Sequence, residues 1–271
     1  MQRACPAGDC QGPWLPMDHP PPDPDGRGEK LQKLIAAAGL CSRRHAEELL
    51  RQGRVQLNGL PARLGARADP LRDRIAVDGR PLLARPAPLT LLLHKPLGVL
   101  CTCHDPQGRP TVLDLLPLEL RQGRGLHPVG RLDADSRGAL LLSNDGDLTL
   151  RLTHPRFGHR RTYRIWVEGQ PGPATLERWA AGVSLEGLAS QPVEIRLLER
   201  HRDATRLELV MREGRNRQIR RTAALLGYPV LDLKREAIGS LRLADLPEGQ
   251  WREVSRVGAL GREWGPPSLP P

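Results

Sequence analysis

Apolar positions along the chain fall into two regimes. Leu31, Leu34, Ile35 and Ala38 recur at helical spacing and predict a short amphipathic helix closed by Gly39. Ala46, Leu49 and Leu50 predict a second one, capped by Ser42 and ended by Gly53. Val55-Gln56-Leu57 with Asn58-Gly59, then Ile75-Ala76-Val77 with Asp78-Gly79, predict short strands joined by tight turns. From Leu89 onward the pattern is strand-like, over 89–94, 139–143, 161–168, 192–198 and 206–211. Helices are expected over 147–152, 174–181 and 217–226, the last stopped by Gly227 and Pro229. Several strands interrupted by a few helices predict an α+β fold with a mainly antiparallel sheet rather than a βαβ repeat.

Composition divides the chain at the same places. Residues 1–28 hold seven Pro and four Asp against two Arg, with almost no periodic apolar pattern, and are expected to be a disordered leader. Residues 29–82 form a small module, the Pro- and Ala-rich 83–88 a linker, 89–256 a larger domain and 257–271 a flexible tail. Lys and Arg number 41 against 31 Asp and Glu, a net +10, and the charge is densest in 29–82, with 11 basic and 6 acidic residues. Such a surface attracts a polyanion. Only four of the basic residues are Lys, however, at 30, 33, 95 and 234. A GC-rich coding bias would also enrich Arg, so Arg content alone does not prove phosphate binding.

No apolar run is long enough to cross a membrane, and the N-terminal stretch lacks the order of a signal peptide, so no membrane partner and a cytoplasmic location are expected. The five Cys (5, 10, 41, 101, 103) are odd in number and scattered, unlike a disulfide framework, and Cys101 and Cys103 are too close for C-x2-C zinc ligation. Free thiols are expected, with no metal site.

The usual motifs of nucleotide hydrolysis, dinucleotide redox chemistry, zinc proteolysis and serine esterases are missing. Chemistry concentrates in three places. His127 to Gly138 places two carboxylates, Asp133 and Asp135, among Arg131 and Arg137, between Gly130 and Gly138, which permit tight turns. Nearby cations keep such a carboxylate ionised, and it could attack or stabilise an electron-poor carbon; an Asp that caps a turn beside solvated Arg is the simpler alternative. Arg161-Thr162-Tyr163-Arg164 sets one of only two Tyr among Arg on a strand, where it could stack on a base or belong to the core. Glu213 to Arg221 opens the last predicted helix with Arg215, Arg217, Arg220 and Arg221, more Arg than a solvated face needs, at a helix start suited to phosphates.

These segments resemble the pseudouridine synthases of the RsuA-type family, which isomerise uridine in ribosomal RNA. The likeness runs from about Glu29 to Glu253, in the family's order. Residues 30–82 look like the S4 RNA-binding domain. Leu93-His94-Lys95-Pro96-Leu97-Gly98-Val99 resembles the family's first catalytic strand with its Lys-Pro-x-Gly turn, and Asp105 to Val112 follows it. Gly130-Arg131-Leu132-Asp133 resembles the signature that carries the catalytic Asp, while Arg161 to Tyr163 and Gly214 to Arg221 match the second and third motifs. Departures are few: Thr222 stands where relatives often have Met, Arg161 where Lys is common, and the leader has no counterpart.

The resemblance implies a role for each residue. Asp133 is the nucleophile at the ribose C1′, acting directly or by promoting a glycal intermediate, with Asp135 as its rival in the loop. Tyr163 stacks under the target base, with acceptance of the C5 proton as a second role, and Arg220 pairs with Asp133. Arg131 and Arg217 are expected phosphate contacts, and Lys33, Arg43, Arg44, Arg51 and Arg54 are the expected RNA contacts of the S4-like module. No cofactor is implied, and the protein is expected to act as a monomer on ribosomal RNA. Residues 142–148 and 151–155 look more like the large-subunit than the small-subunit branch. A non-catalytic S4-type RNA-binding or ribosome-assembly factor would not need Asp133, Tyr163 and Arg220 together. A glycosidase would want a carboxylate pair about 5–10 Å apart and gains nothing from a basic surface.

Overall fold

The structure, a computed structural model, describes residues 28–255. The expected leader over 1–28, apart from Gly28, and the expected tail over 257–271 lie outside the described residues. The chain divides into two compact units, one of residues 28–34 with 43–82 and the other of 35–42 with 83–255.

The N-terminal elements are β1 (Glu29–Lys30), α1 (Leu31–Ala37), α2 (Arg43–Arg51), β2 (Val55–Leu57), β3 (Leu60–Pro61), β4 (Arg67–Ala68), β5 (Ile75–Val77) and β6 (Arg80–Pro81). Strands β3-β2-β5-β6 form an antiparallel sheet, and β1 pairs with β4. The Asn58-Gly59 and Asp78-Gly79 turns behave as their sequences require, all four residues having positive φ. α2 buries Ala46, Leu49 and Leu50, and the strands bury Val55, Leu57, Ile75 and Val77. Arg54 braces the end of the sheet through two 2.7 Å bonds to the Asp78 carboxylate.

The larger unit contains β7 (Thr90–Lys95), α3 (Leu118–Arg121), β8 (His127–Val129), β9 (Arg137–Ser143), α4 (Gly146–Thr153), β10 (Arg161–Glu168), α5 (Pro173–Ala181), β11 (Ser184–Leu185), β12 (Leu188–Ala189), β13 (Glu194–Arg200), β14 (Ala204–Met211), α6 (Gln218–Leu225), β15 (Val230–Ile238), β16 (Leu241–Arg242) and β17 (Trp251–Glu253). Its main sheet has the order β13-β14-β10-β15-β9-β7-β17, with β16 added to β15 and β8 to β9. Every pair is antiparallel except β15 with β9. The fold is α+β.

The leucine-rich strands β7 and β9 are buried on both faces, which explains their continuous apolar runs. Leu92, Ala139 and Leu141 pack into one core cluster, while Leu91, Leu93, Leu140 and Leu142 pack into another on the opposite face. β10 instead alternates, burying Tyr163, Ile165 and Val167 beneath Trp179 of α5 and Ile219 and Ala223 of α6. α4 starts where the Asp145 carboxylate accepts from the backbone N–H groups of Asp147 and Leu148.

The apolar pattern does not predict β15, whose sequence carries Asp232, Lys234, Arg235 and Glu236. Its alternation is nevertheless intact: Leu233, Arg235 and Ala237 point inward, so a charged residue occupies a core position. Residue 217 also departs from expectation, since it precedes α6 in a left-handed conformation (φ 48°) instead of opening the helix.

One edge of β9 pairs with β7 along its length, while the other edge passes from β8, at Leu141–Ser143, to β15, at Arg137–Gly138. Residues 130–136 cross the gap between β8 and β15. That crossing demands a glycine at 138. Its φ is +117°, and a Cβ there would collide with the backbone carbonyl of Arg235. Gly138→Ala should therefore lower stability by about 3 kcal/mol, combining backbone strain with overpacking. Gly53→Ala, which has positive φ but open space around it, should lose only about 1 kcal/mol. Equilibrium denaturant unfolding of the two variants checks the contrast.

Candidate active site

The loop after β8 is held mainly through its backbone. Leu132 is buried in the core cluster under α6, its N–H donates to the Cys101 Sγ at 3.3 Å, and Gly98 N–H donates to the Ala134 carbonyl at 2.8 Å. Lys95, with no exposed surface, donates from Nζ to the carbonyls of Pro96 (2.8 Å) and Ser136 (2.7 Å). Arg235 donates from Nε to the Ala139 carbonyl (2.6 Å) and from Nη1 to the Arg131 carbonyl (3.4 Å). Fixing carbonyls at several points along the loop determines where its side chains point.

Those side chains border a cavity of about 500 Å³. Asp133, Tyr163, Arg217, Arg220 and Arg131, proposed from separate motifs, all line it, and so do Arg161 and Arg235. Tyr163 is 8% exposed and Arg131 is exposed. Of the five expected RNA contacts of the N-terminal unit, three are ion-paired within that unit. Lys33 pairs with Glu29, Arg51 with Glu48 and Arg54 with Asp78, while Arg43 and Arg44 are exposed at the start of α2.

The two carboxylates of the loop have different surroundings. Asp135 accepts two bonds from Arg217, at 3.1 and 2.7 Å, and lies 3.3 Å from Nε of Arg220. Hydrogen bonds from Arg217 hold its carboxyl below the ordinary value, and the charge of Arg220 adds to the effect. Asp133 has one such neighbour, Nη1 of Arg217 at 3.4 Å, and it lines the cavity whereas Asp135 does not. The cation beside Asp133 is therefore Arg217, not the expected Arg220. Arg220 instead donates to the Asp135 and Val230 carbonyls and so ties α6 to the loop and to β15.

The arginines of the third motif are likewise engaged within the protein. Arg215 donates to the carbonyls of Leu188 and Ala189, Arg221 pairs with Glu186 at 2.7 Å, and Arg217 bridges the two Asp. Buried Gln218 donates to Glu213 at 2.6 Å and accepts from the Arg215 N–H, which fixes the turn into α6. The guanidinium of Arg217, expected to contact phosphate, is shared by Asp133 and Asp135. Sequence reasoning missed Arg235 altogether. The available signal was an Arg in register with two apolar positions of an alternating strand.

A family model described as RNA pseudouridylate synthase matches residues 90–225, spanning β7, the Asp133 loop, Tyr163 and α6, and an S4 domain model matches residues 29–70. The chain belongs to the RNA pseudouridine synthases. It is 38% identical over 230 residues to the ribosomal large subunit pseudouridine synthase B of Bacillus subtilis, covering 84% of this chain and 92% of that protein. An RNA pseudouridine synthase of Aquifex aeolicus is 36% identical over 229 residues, covering 84% and 90%. A crystal structure of a pseudouridylate synthase aligns with a TM-score of 0.62 at 28% identity, covering 85% of this synthase and 98% of that chain. The fold, the S4 domain and the enzyme class expected from the sequence are thus established.

The Asp135 pairing has a pH signature. Its folded-state pKa lies below the ordinary carboxylate value, so its contribution to stability is present above about pH 4 and is lost as pH falls further. Asp135→Asn should be less stable than wild type at pH 7, and the difference should shrink below pH ~4, as followed by denaturant unfolding at a series of pH values.

Proposed function

We propose that this synthase isomerises a specific uridine of large-subunit ribosomal RNA to pseudouridine, with Asp133 acting at the ribose C1′. The observation that carries the assignment of the nucleophile is the unequal treatment of the two loop carboxylates: Asp135 accepts two hydrogen bonds from Arg217 and also pairs with Arg220, while Asp133 borders the cavity with a single cation beside it. Arg217 stands beside Asp133 at 3.4 Å without closing it off from the cavity. Tyr163, on the cavity wall, offers its ring to the target base, which must leave its stack to reach Asp133. Arg220 acts by holding the loop against α6, and Arg131, at the cavity rim, contacts the RNA backbone.

Residues 29–82 serve as the RNA-binding domain, 83–88 as a linker and 89–256 as the catalytic domain. Arg43 and Arg44 are the strongest RNA contacts on the smaller domain, because both are exposed and neither is part of the ion pairs that occupy Lys33, Arg51 and Arg54. The large-subunit substrate follows the name of the Bacillus subtilis relative together with the residues at 142–148 and 151–155. The same reading makes the protein a cytoplasmic monomer acting on ribosomal RNA. Among the described residues no helix is long and apolar enough to cross a membrane.

Asp133→Ala should abolish pseudouridine formation in a large-subunit RNA fragment while changing RNA affinity by less than about threefold, because the residue acts on the transition state and not on binding. Single-turnover conversion and filter binding on the same RNA check this, and activity equal to wild type would contradict it. Replacing Arg43 and Arg44 together by Ala should reduce the slope of log affinity against log salt by about 1.5, the loss expected for two phosphate contacts.

A further inference from the structure

Arg235 is 4% exposed on β15, between the buried residues Leu233 and Ala237. Its register partners are Tyr163 on β10 and Gly138 on β9, so it lies directly beside the residue offered to the target base and against the strand that leads out of the Asp133 loop. Nε and Nη1 donate to the Ala139 and Arg131 carbonyls, but Nη2 is buried without any partner. Among the described residues no carboxylate lies within ion-pair distance of Arg235, and Lys95, on the other side of the loop, also donates only to carbonyls. Arg161, partly buried on the cavity wall, donates to the Leu152 carbonyl. Arg235 and Arg161 thus place on the cavity wall two cations that bond only to carbonyls, with the Asp133 carboxylate on the same wall.

A buried donor left unsatisfied is costly, and holding two loop carbonyls does not require a third donor on a residue that lines the cavity. The unmatched Nη2 is suited to an acceptor that arrives with the substrate. A phosphate is a poor match, because the phosphodiester of an extruded nucleotide stays with its strand, whereas the base is the part that enters the pocket. The reaction also creates negative charge on that base. When the C1′–N1 bond breaks, its electron pair remains on the uracil and spreads over N1, O2 and O4. Bond formation from C5 to C1′ then consumes the charge and frees the Asp133 carboxylate, which takes the C5 proton; a proton delivered to N1 completes neutral pseudouridine, and loss of the proton from Asp133 restores the ionised carboxylate.

We propose that Nη2 of Arg235 donates to a carbonyl oxygen of the target uracil and stabilises the charge that the base carries while detached. This rests on the uridine-isomerising reading of the same cavity. Half a turn of the base about its N3–C6 axis exchanges N1 with C5 and O2 with O4. One fixed donor therefore meets a carbonyl oxygen both before and after the turn. Arg235 would be a catalytic residue that acts on the leaving base, as Asp133 acts on the sugar.

The test uses the full chain with one RNA fragment carrying either uridine or 5-fluorouridine at the target, following loss of the N-linked nucleoside in single turnovers. Arg235→Gln should slow conversion of uridine by about 100-fold with RNA affinity within about threefold of wild type. On 5-fluorouridine, whose detached base bears its charge more easily, the loss should shrink to about 10-fold or less. Arg235→Lys, which keeps a buried cation, should recover at least part of the rate, and it carries the same two-substrate comparison if Arg235→Gln does not fold. Equal losses on both substrates, a loss explained by weaker RNA binding, or no loss at all would overturn the proposal. Failure of wild type to convert uridine would instead overturn the underlying reading of the cavity.

Discussion

The Asp133 loop depends on two buried cations that hold it by its carbonyls. Lys95 takes hold at Ser136 and Arg235 at Arg131 and Ala139, and both side chains are buried. Hydrogen bonds from charged donors in such surroundings are strong and directional, so the loop has little freedom to drift. The parallel contact of β9 with β15, with no room for a side chain at position 138, brings Arg235 within reach of the loop at all. Fold and site thus meet at one strand pair.

Positive charge serves two separate purposes. On the smaller unit, exposed Arg43 and Arg44 suit a polyanion in the general way that a net +10 chain suggests. Around the cavity the cations are structural and electrostatic. Arg217 and Arg220 neutralise Asp135 and leave Asp133 available, while Lys95 and Arg235 contribute buried charge without carboxylate partners. Two carboxylates two residues apart thereby have different surroundings, set by which arginines reach them.

Much of this was legible before the structure. The all-leucine stretches of β7 and β9, the Asn-Gly and Asp-Gly turns, and the helices after Asp145 and near Gly214 follow from local rules of periodicity and capping. The gathering of Asp133, Tyr163 and Arg220 at one cavity was implied by family resemblance and not by spacing, because strand pairing over long sequence separations is not encoded locally. β15 was missed because charged residues masked its alternation. The Arg217 pairing was missed because a left-handed residue just before a helix redirects its side chain, and no pattern of residue types reveals that. Arg235 shows the same limit: an Arg at an inward strand position reads as a break in the pattern until its burial beside a cavity is known.

The central claim is that this chain makes pseudouridine at one position of large-subunit ribosomal RNA. Carbodiimide labelling with primer extension across both ribosomal RNAs, in cells lacking the protein and in cells with it restored, tests that claim most directly. The account predicts a single large-subunit stop that disappears without the protein and returns with it. A stop that responds only in small-subunit RNA, or no change in either RNA, would contradict it.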